Sequence, residues 1–261
     1  MNNWEHKRIL VTRPAHQAQG LIHLLSGKGA SVLLFPTLVI HPVSDLERLK
    51  KDIQAQFAAD WLIFISPNAV DHVMPLVLEK QWLTLFRGRF ATVGIGTRDS
   101  LSVYGVNSIT FPTQGVGAEA LLETLGHEDM NNKQVAVFKG NSDNQMIEEG
   151  LSARGAKIFP INCYQRRRTK DDPHPLIHAL THGHVDLIVT SSGDGLQSLV
   201  QLLPADLQAI ACQLPVVVVS KRVQDLAKTL GFSQTLLAKD ASDEAIADAI
   251  EHWYDQGASH D

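Results

Sequence analysis

Two hydrophobic patterns alternate along this chain. Short, near-continuous runs of Val, Ile and Leu are separated by longer stretches in which apolar residues recur with helical spacing. The first kind predicts strands near Ile9–Thr12, Ser31–Phe35, Trp61–Ile65, Phe90–Val93, Ser108–Phe111, Val135–Phe138, Lys157–Pro160, Asp186–Thr190, Val216–Val219 and Thr235–Ala238. The second predicts helices around Ala15–Ser26, Ala69–Glu79, Arg98–Tyr104, Ala118–Leu125, Asn144–Arg154, Leu196–Leu202, Val223–Leu230 and Asp243–Tyr254. Strands that are apolar throughout, without alternation, are buried on both faces. The expected architecture is therefore α/β, with parallel sheets covered by helices on either side.

The same landmarks occur twice. Arg8-Ile-Leu-Val, a helix and Gly29-Ala-Ser-Val reappear as Gln134-Val-Ala-Val, a helix and Gly155-Ala-Lys-Ile. Trp61-Leu-Ile-Phe-Ile-Ser-Pro-Asn returns as Asp186-Leu-Ile-Val-Thr-Ser-Ser-Gly. Thr92-Val-Gly followed by Tyr104-Gly-Val returns as Val218-Val-Ser followed by Leu230-Gly-Phe, and Glu119-Ala-Leu-Leu matches Glu244-Ala-Ile-Ala. An ordered set of such matches indicates a duplication. Ten strands in two copies predict two sheets of five. Whether each copy folds by itself or the copies exchange strands stays open. Thr37–Ser44 and Tyr164–Pro175 read as linkers at equivalent points of the copies, suited to a chain that leaves one lobe and returns to it.

Composition narrows the classes. A length of 261 residues suits two lobes of ordinary size, and 44% apolar with 20% charged residues is a globular profile. A net charge of −5 argues against broad nucleic-acid binding. Cys163 and Cys212 match neither a disulfide framework nor a metal-ligand spacing. With no signal-peptide pattern and no apolar run of membrane-crossing length, the expected address is the cytoplasm.

Chemistry-bearing residues concentrate where strands run into helices: Thr12-Arg13-Pro14, Ser66-Pro67-Asn68, Gly94-Ile-Gly96-Thr97, Lys139-Gly140-Asn141-Ser142, Thr190-Ser191-Ser192 and Ser220-Lys221-Arg222. In an open parallel sheet these turns lie at the carboxyl ends, where ligands bind. Helix N-termini there offer free N–H groups to anions. Taken singly, Ser66 or Ser192 is best explained as a helix cap; six such junctions together point to an anionic ligand. Gly94-Ile-Gly96 lacks the third glycine of a dinucleotide loop. His174, His178, His182 and His184 lack a His-Glu-x-x-His pattern and read as solvated surface residues, so no metal site is expected. Arg166-Arg-Arg168 suits either a solvated face or a carboxylate clamp. Tyr164 suits either packing at a strand end or a phenol donor.

From about Arg8 to Trp253 the chain resembles the uroporphyrinogen-III synthase family. The likeness rests on Val11-Thr-Arg-Pro14, Phe35-Pro36, Ser66-Pro-Asn-Ala-Val70, Val93-Gly-Ile-Gly-Thr97, Gly140, Arg154-Gly-Ala156, Tyr164-Gln-Arg166, Thr190-Ser191, Ser220-Lys-Arg222 and Leu230-Gly-Phe232, in that order. The resemblance implies two flavodoxin-like (Rossmann-like) lobes that exchange chain and are joined by a two-stranded linker. Residues 1–37 and 173–261 would form one lobe and 42–164 the other, with 38–41 and 165–172 between them. It also implies a reaction: hydroxymethylbilane, a linear tetrapyrrole with eight carboxylates, loses water and closes with ring D inverted to give uroporphyrinogen III.

For this chemistry the resemblance implies no metal or organic cofactor. Tyr164 matches the family's cleft tyrosine, and a phenol, with an ordinary pKa of about 10, can donate a proton to the departing hydroxyl. The expected substrate ligands are Arg13, Ser66, Asn68, Thr97, Lys139, Gly140, Ser191, Ser192, Ser220 and Arg222. Departures from the family pattern are Ile65 where a threonine often stands, Lys139 in place of an arginine, and Ser220-Lys-Arg-Val223 without the later threonine. The expected partners are the substrate and, for hand-over, hydroxymethylbilane synthase; neither nucleic acid nor a membrane is expected, and a monomer is. The competing expectation is a non-catalytic two-lobed binding protein or sensor for an anionic small molecule.

Overall fold

The structure, a computed structural model, describes residues 4–79, 83, 86–115, 117–141 and 144–257. The chain runs β1 (Arg8–Val11), α1 (Ala15–Gly27), β2 (Ser31–Leu34), β3 (Leu38–Pro42), α2 (Leu46–Ala55), β4 (Trp61–Phe64) and α3 (Pro67–Glu79). It continues with β5 (Arg89–Thr92), α4 (Ile95–Val103), β6 (Ile109–Thr110), α5 (Gly117–Thr124), β7 (Gln134–Gly140), α6 (Met146–Ser152) and β8 (Lys157–Arg168). The last part is α7 (His174–Thr181), β9 (Leu187–Val189), α8 (Gly193–Leu202), α9 (Ala205–Gln213), β10 (Val216–Val218), α10 (Lys221–Thr229), β11 (Thr235–Leu237) and α11 (Asp243–Gly257). Two compact units result: Met1–Val39 with Arg167–Asp261, and Ile40–Arg166.

The first unit holds a five-stranded sheet in the order β11-β10-β9-β1-β2, parallel throughout. Successive residues of each strand face opposite sides. Leu10, Ile188, Val216 and Val218 enter one core with α7 to α10; Ile9, Val11, Leu187, Val189 and Val217 enter another with α1 and α11. Both faces are covered, which is why the strand runs are apolar without alternation. The pairing of β1 with β9 is pinned at its start. Arg8 donates to the Asp186 carboxylate from its backbone N (2.7 Å), Nε (3.0 Å) and Nη2 (2.6 Å).

The second unit holds six strands in the order β3-β8-β7-β4-β5-β6. Setting β3 aside, the duplicated landmarks make this the same sheet as the first. β7 and β8 correspond to β1 and β2, and β4, β5 and β6 to β9, β10 and β11. Each sheet thus combines strands of both copies, which settles the question the repeat left open. The recurring glycines have a backbone reason. Gly29 and Gly155 (φ 98° and 85°), like Gly105 and Gly231 (φ 83° and 97°), turn the chain out of a helix in the left-handed region that side chains disfavour.

Several expectations need correction. The second sheet has six strands, because Leu38–Pro42, read as linker, forms β3. β8 runs on to Arg168, well past the predicted end at Pro160, so the first part of the second linker is strand. Helices α2, α7 and α9 were not expected from the hydrophobic pattern either. Pro173 and Pro204 directly precede the last two; proline is tolerated at a helix start, where an N–H would go unpaired. Among the described residues no helix is long and apolar enough to cross a membrane.

Thr37, read as the start of a linker, is fully buried in the first unit. Its Oγ1 donates to Gly195 O (2.9 Å), and its carbonyl accepts from Thr169 N and Ser198 Oγ, each at 3.1 Å. Thr37→Val keeps the shape but removes the hydrogen bond to Gly195 O, and is expected to cost about 0.5–1.5 kcal/mol in urea unfolding. Asp186 yields a pH test. Partial burial works to raise its pKa, but the hydrogen bonds and charge of Arg8 outweigh that and hold it below the ordinary carboxylate value. A depressed native pKa contributes stability above the unfolded value of about 4, lost as pH falls through the native one. Asp186→Asn should therefore lower the unfolding midpoint at pH 7, with the gap to wild type narrowing towards pH 3.

Candidate functional site

In the second unit the strand order reverses between β7 and β4, the place where ligands bind in such sheets. Three residues meet there from adjacent strands: Ser66 just after β4, Gly140 at the end of β7 and Tyr164 on β8. The Tyr164 hydroxyl lies 2.9 Å from Ser66 Oγ, so the side chain of β8 reaches across β7 to the end of β4. Only a glycine on β7 permits this. A Cβ at Gly140 would sit 2.6 Å from the Tyr164 ring.

A bulge aims the tyrosine. Lys139 pairs with Asn162 but Gly140 pairs with Tyr164, so β8 carries one extra residue. Ile161 points into the core and Asn162 is exposed; strict alternation would put Tyr164 on the exposed side with Asn162. The bulge instead leaves Cys163 and Tyr164 both in the core. Burial pushes the Cys163 thiol up to about 12, which removes it as a nucleophile near neutral pH.

The phenol is held from several sides. Arg166 Nη2 donates to its oxygen at 2.8 Å, and the His72 ring lies 5.6 Å from its ring, centroid to centroid. Asn141 fixes the Arg166 backbone, accepting from Arg166 N (2.6 Å) and donating to Arg166 O (3.2 Å). Ser66 Oγ also accepts from Ala69 N (3.2 Å), capping α3. Tyr164 is wholly buried, whereas Arg166 is half-exposed and covers it. Asn68 is buried in the first turn of α3, and Thr97 in that of α4. Ser142, expected at the same edge, lies outside the described residues.

Two expected ligands are used differently. Lys139 is buried and bonded to Glu148 and to Asn144 O (2.8 Å), so its charge is neutralised inside the unit. In the first unit Arg13 is likewise buried, with Nη1 on Asp243 (2.6 Å) and Nη2 on Ala241 O (2.6 Å). Both cations fasten a strand end to a helix start; neither is offered to a ligand. Ser192 and Ser220 cap α8 and α10, accepting from Gly195 N (3.0 Å) and Val223 N (3.4 Å). Ser191 is half-exposed beside them and Arg222 exposed.

In the sequence Arg166 stands out in a run of arginines and in Tyr164-Gln-Arg166, without a role at the phenol, and Asn141 only as a junction residue. His72 gives no signal there, since it is brought to the tyrosine by the packing of α3. Among the described residues no group of His, Cys, Asp and Glu is arranged to hold a metal ion.

The family model for uroporphyrinogen-III synthase HemD matches residues 19–248. The uroporphyrinogen-III synthase of Escherichia coli is 27% identical over 248 residues, covering 93% of this chain and 99% of its own length. That of Synechococcus elongatus is 29% identical over 203 residues, covering 77% and 76%. Among solved structures, a mutant uroporphyrinogen III synthase of Thermus thermophilus has a TM-score of 0.67 at 16% identity, covering 97% of this chain and 100% of that one. The uroporphyrinogen-III synthetase of Helicobacter pylori has 0.55 at 12%, covering 95% and 99%. At such identities the structures speak for the fold; the family model, spanning most of the sequence, speaks for descent. This chain belongs to the uroporphyrinogen-III synthase family.

Proposed function

We propose that this chain closes hydroxymethylbilane to uroporphyrinogen III, with Tyr164 as the proton donor to the departing hydroxyl. The family match supports the cyclising lyase and not the binding-protein alternative. The observation that carries the residue assignment is the phenol held between Ser66 and Arg166 at the strand ends.

In this reading a substrate carboxylate draws the Arg166 guanidinium outward and uncovers the phenol. Tyr164 protonates the terminal hydroxyl, which leaves as water and gives a protonated azafulvene, an azafulvenium cation. The substituted carbon of ring D attacks it, forming a spiro intermediate that reopens and closes with the ring inverted. The proton released at final closure restores the phenol. Ser66, Asn68, Thr97 and Gly140 in the second unit, and Ser191, Ser192, Ser220 and Arg222 in the first, bind carboxylates and pyrrole edges through hydroxyl, amide and backbone N–H groups. Arg13 and Lys139 act indirectly, by fixing the strand ends. Action as a cytoplasmic monomer taking substrate from hydroxymethylbilane synthase belongs to the same proposal, because a bilane that cyclises spontaneously to the type I isomer favours rapid capture.

The test is product analysis with hydroxymethylbilane. Type III isomer is expected, and type I alone would overturn the proposal. Tyr164→Phe should lower the rate of type III formation about a hundredfold or more, the scale of general acid catalysis, and a near-wild-type rate would remove the acid role. Gly140→Ala should displace the phenol and cut activity strongly. Gly126→Ala is the matched control in the same unit: a Cβ there meets nothing within 4 Å, and activity should be kept.

A further inference from the structure

His72 stands in the second turn of α3, the helix that starts at the carboxyl end of β4 directly after Ser66. Helical side chains lean towards the amino end of their helix. Here the lean is fixed, because His72 Nδ1 lies 2.8 Å from the carbonyl of Asn68 in the first turn. The imidazole is thereby brought back towards the strand ends and set beside the phenol. Its centroid lies 5.6 Å from that of Tyr164, with the two planes tilted by 35°. The side chain is half-buried.

The same bond settles the tautomer. A carbonyl can only accept, so Nδ1 carries the hydrogen and the neutral ring keeps its lone pair on Nε2. Among the described residues nothing donates to that lone pair. Nor is Nε2 one of the unpaired side-chain atoms sealed from solvent, which are Trp4 Nε1, Arg13 Nε, Arg98 Nε and the Tyr254 hydroxyl. Around it the hydrogen bonding is already committed. Arg166 donates to the phenol at 2.8 Å, and Ser66 Oγ is engaged by Ala69 N and by the phenol. His72 thus brings an open, oriented acceptor to a place otherwise furnished with donors.

A tetrapyrrole carries N–H groups as well as carboxylates, and cations and backbone N–H groups cannot accept from them. We propose that His72 Nε2 accepts a hydrogen bond from the N–H of the pyrrole that bears the departing hydroxyl, a catalytic contact that rests on the reaction proposed above. As the C–O bond breaks, its electrons leave with the oxygen, which takes the phenol proton and departs as water. The nitrogen lone pair forms the new double bond to the ring, and positive charge develops on that nitrogen. Its N–H then becomes a charged donor, and the bond to the imidazole strengthens as the barrier is crossed. No proton passes to His72. Attack by ring D returns the electrons, and the contact relaxes to that of a neutral pyrrole.

The test is steady-state kinetics with hydroxymethylbilane. His72→Phe keeps a ring against Tyr164 but removes the acceptor. It should lower kcat roughly tenfold to a hundredfold, the worth of one hydrogen bond to a charged group, with KM little changed. His72→Gln, whose amide oxygen can replace Nε2, should restore most of the rate. His72→Leu repeats the loss should the phenylalanine not be accommodated. The decisive comparison is made without the phenol: His72→Phe should still slow the Tyr164→Phe enzyme. A silent effect in that background would make His72 a mere support for the tyrosine and overturn the contact, as would wild-type kcat in both His72→Phe and His72→Leu. Type I product from wild type would instead sink the underlying reaction, so the two failures are distinct.

Discussion

The first unit depends on β1 finding β9, strands that lie more than 170 residues apart in the chain. The pairing sets Ile9 against Leu187, Leu10 against Ile188 and Val11 against Val189, with Arg8 locked to Asp186 at its foot. No local signal can favour it, and loop closure opposes it. The second unit removes part of that cost. Its sheet places β3 beside β8, so the strand that leaves the first unit and the one that returns to it run as neighbours. Once that sheet forms, the effective loop is short. Thr37 and Thr169, just outside the two strands, then bond directly through the backbone at 3.1 Å. Folding of the inserted unit in this sense favours closing the other.

The same sheet order in both units puts equivalent positions at equivalent edges, yet the units use them differently. In the first, the end of β1 carries Thr12 and Arg13, which bind Val189 O and Asp243 and so close the edge on itself. In the second, the corresponding end of β7 carries Gly140, whose missing side chain leaves room for the phenol of β8 to cross. A single extra residue in β8 decides which face that phenol takes. The asymmetry that makes one strand end a candidate for catalysis is therefore a glycine and a bulge, set into a duplicated frame.

Much of the frame was legible in the sequence. Apolar runs without alternation correctly announced sheets covered on both faces, and the repeat predicted which strands are equivalent, because both signals come from the burial of whole strands. The sequence was less informative where structure depends on partners far away. Leu38–Pro42 became a strand because β8 lay beside it, and Thr37 became a buried anchor because Gly195 and Ser198 came to it; prolines at the edges made both look like loop. Among site residues, Tyr164, Ser66 and Gly140 come together at one strand end. Arg13 and Lys139 do not remain available there, because their carboxylate partners, Asp243 and Glu148, sit at positions no motif marks.

Those two internal pairs bear on how a polycarboxylate would be handled. With Arg13 and Lys139 committed to the chain's own helix starts, two of the cations expected at the strand ends are already paired with carboxylates of the protein. Capped helix starts and backbone N–H groups supply many weaker donors instead. That suits the chemistry proposed, since the terminal ring must turn over while the rest of the tetrapyrrole stays bound. Strong fixed ion pairs would stabilise the linear substrate as much as the transition state and gain nothing in rate. Distributed donors grip the arms without freezing the end. The cation poised at the phenol, Arg166, is half-exposed and within reach of an incoming carboxylate, and so is the natural place for binding to be coupled to proton transfer.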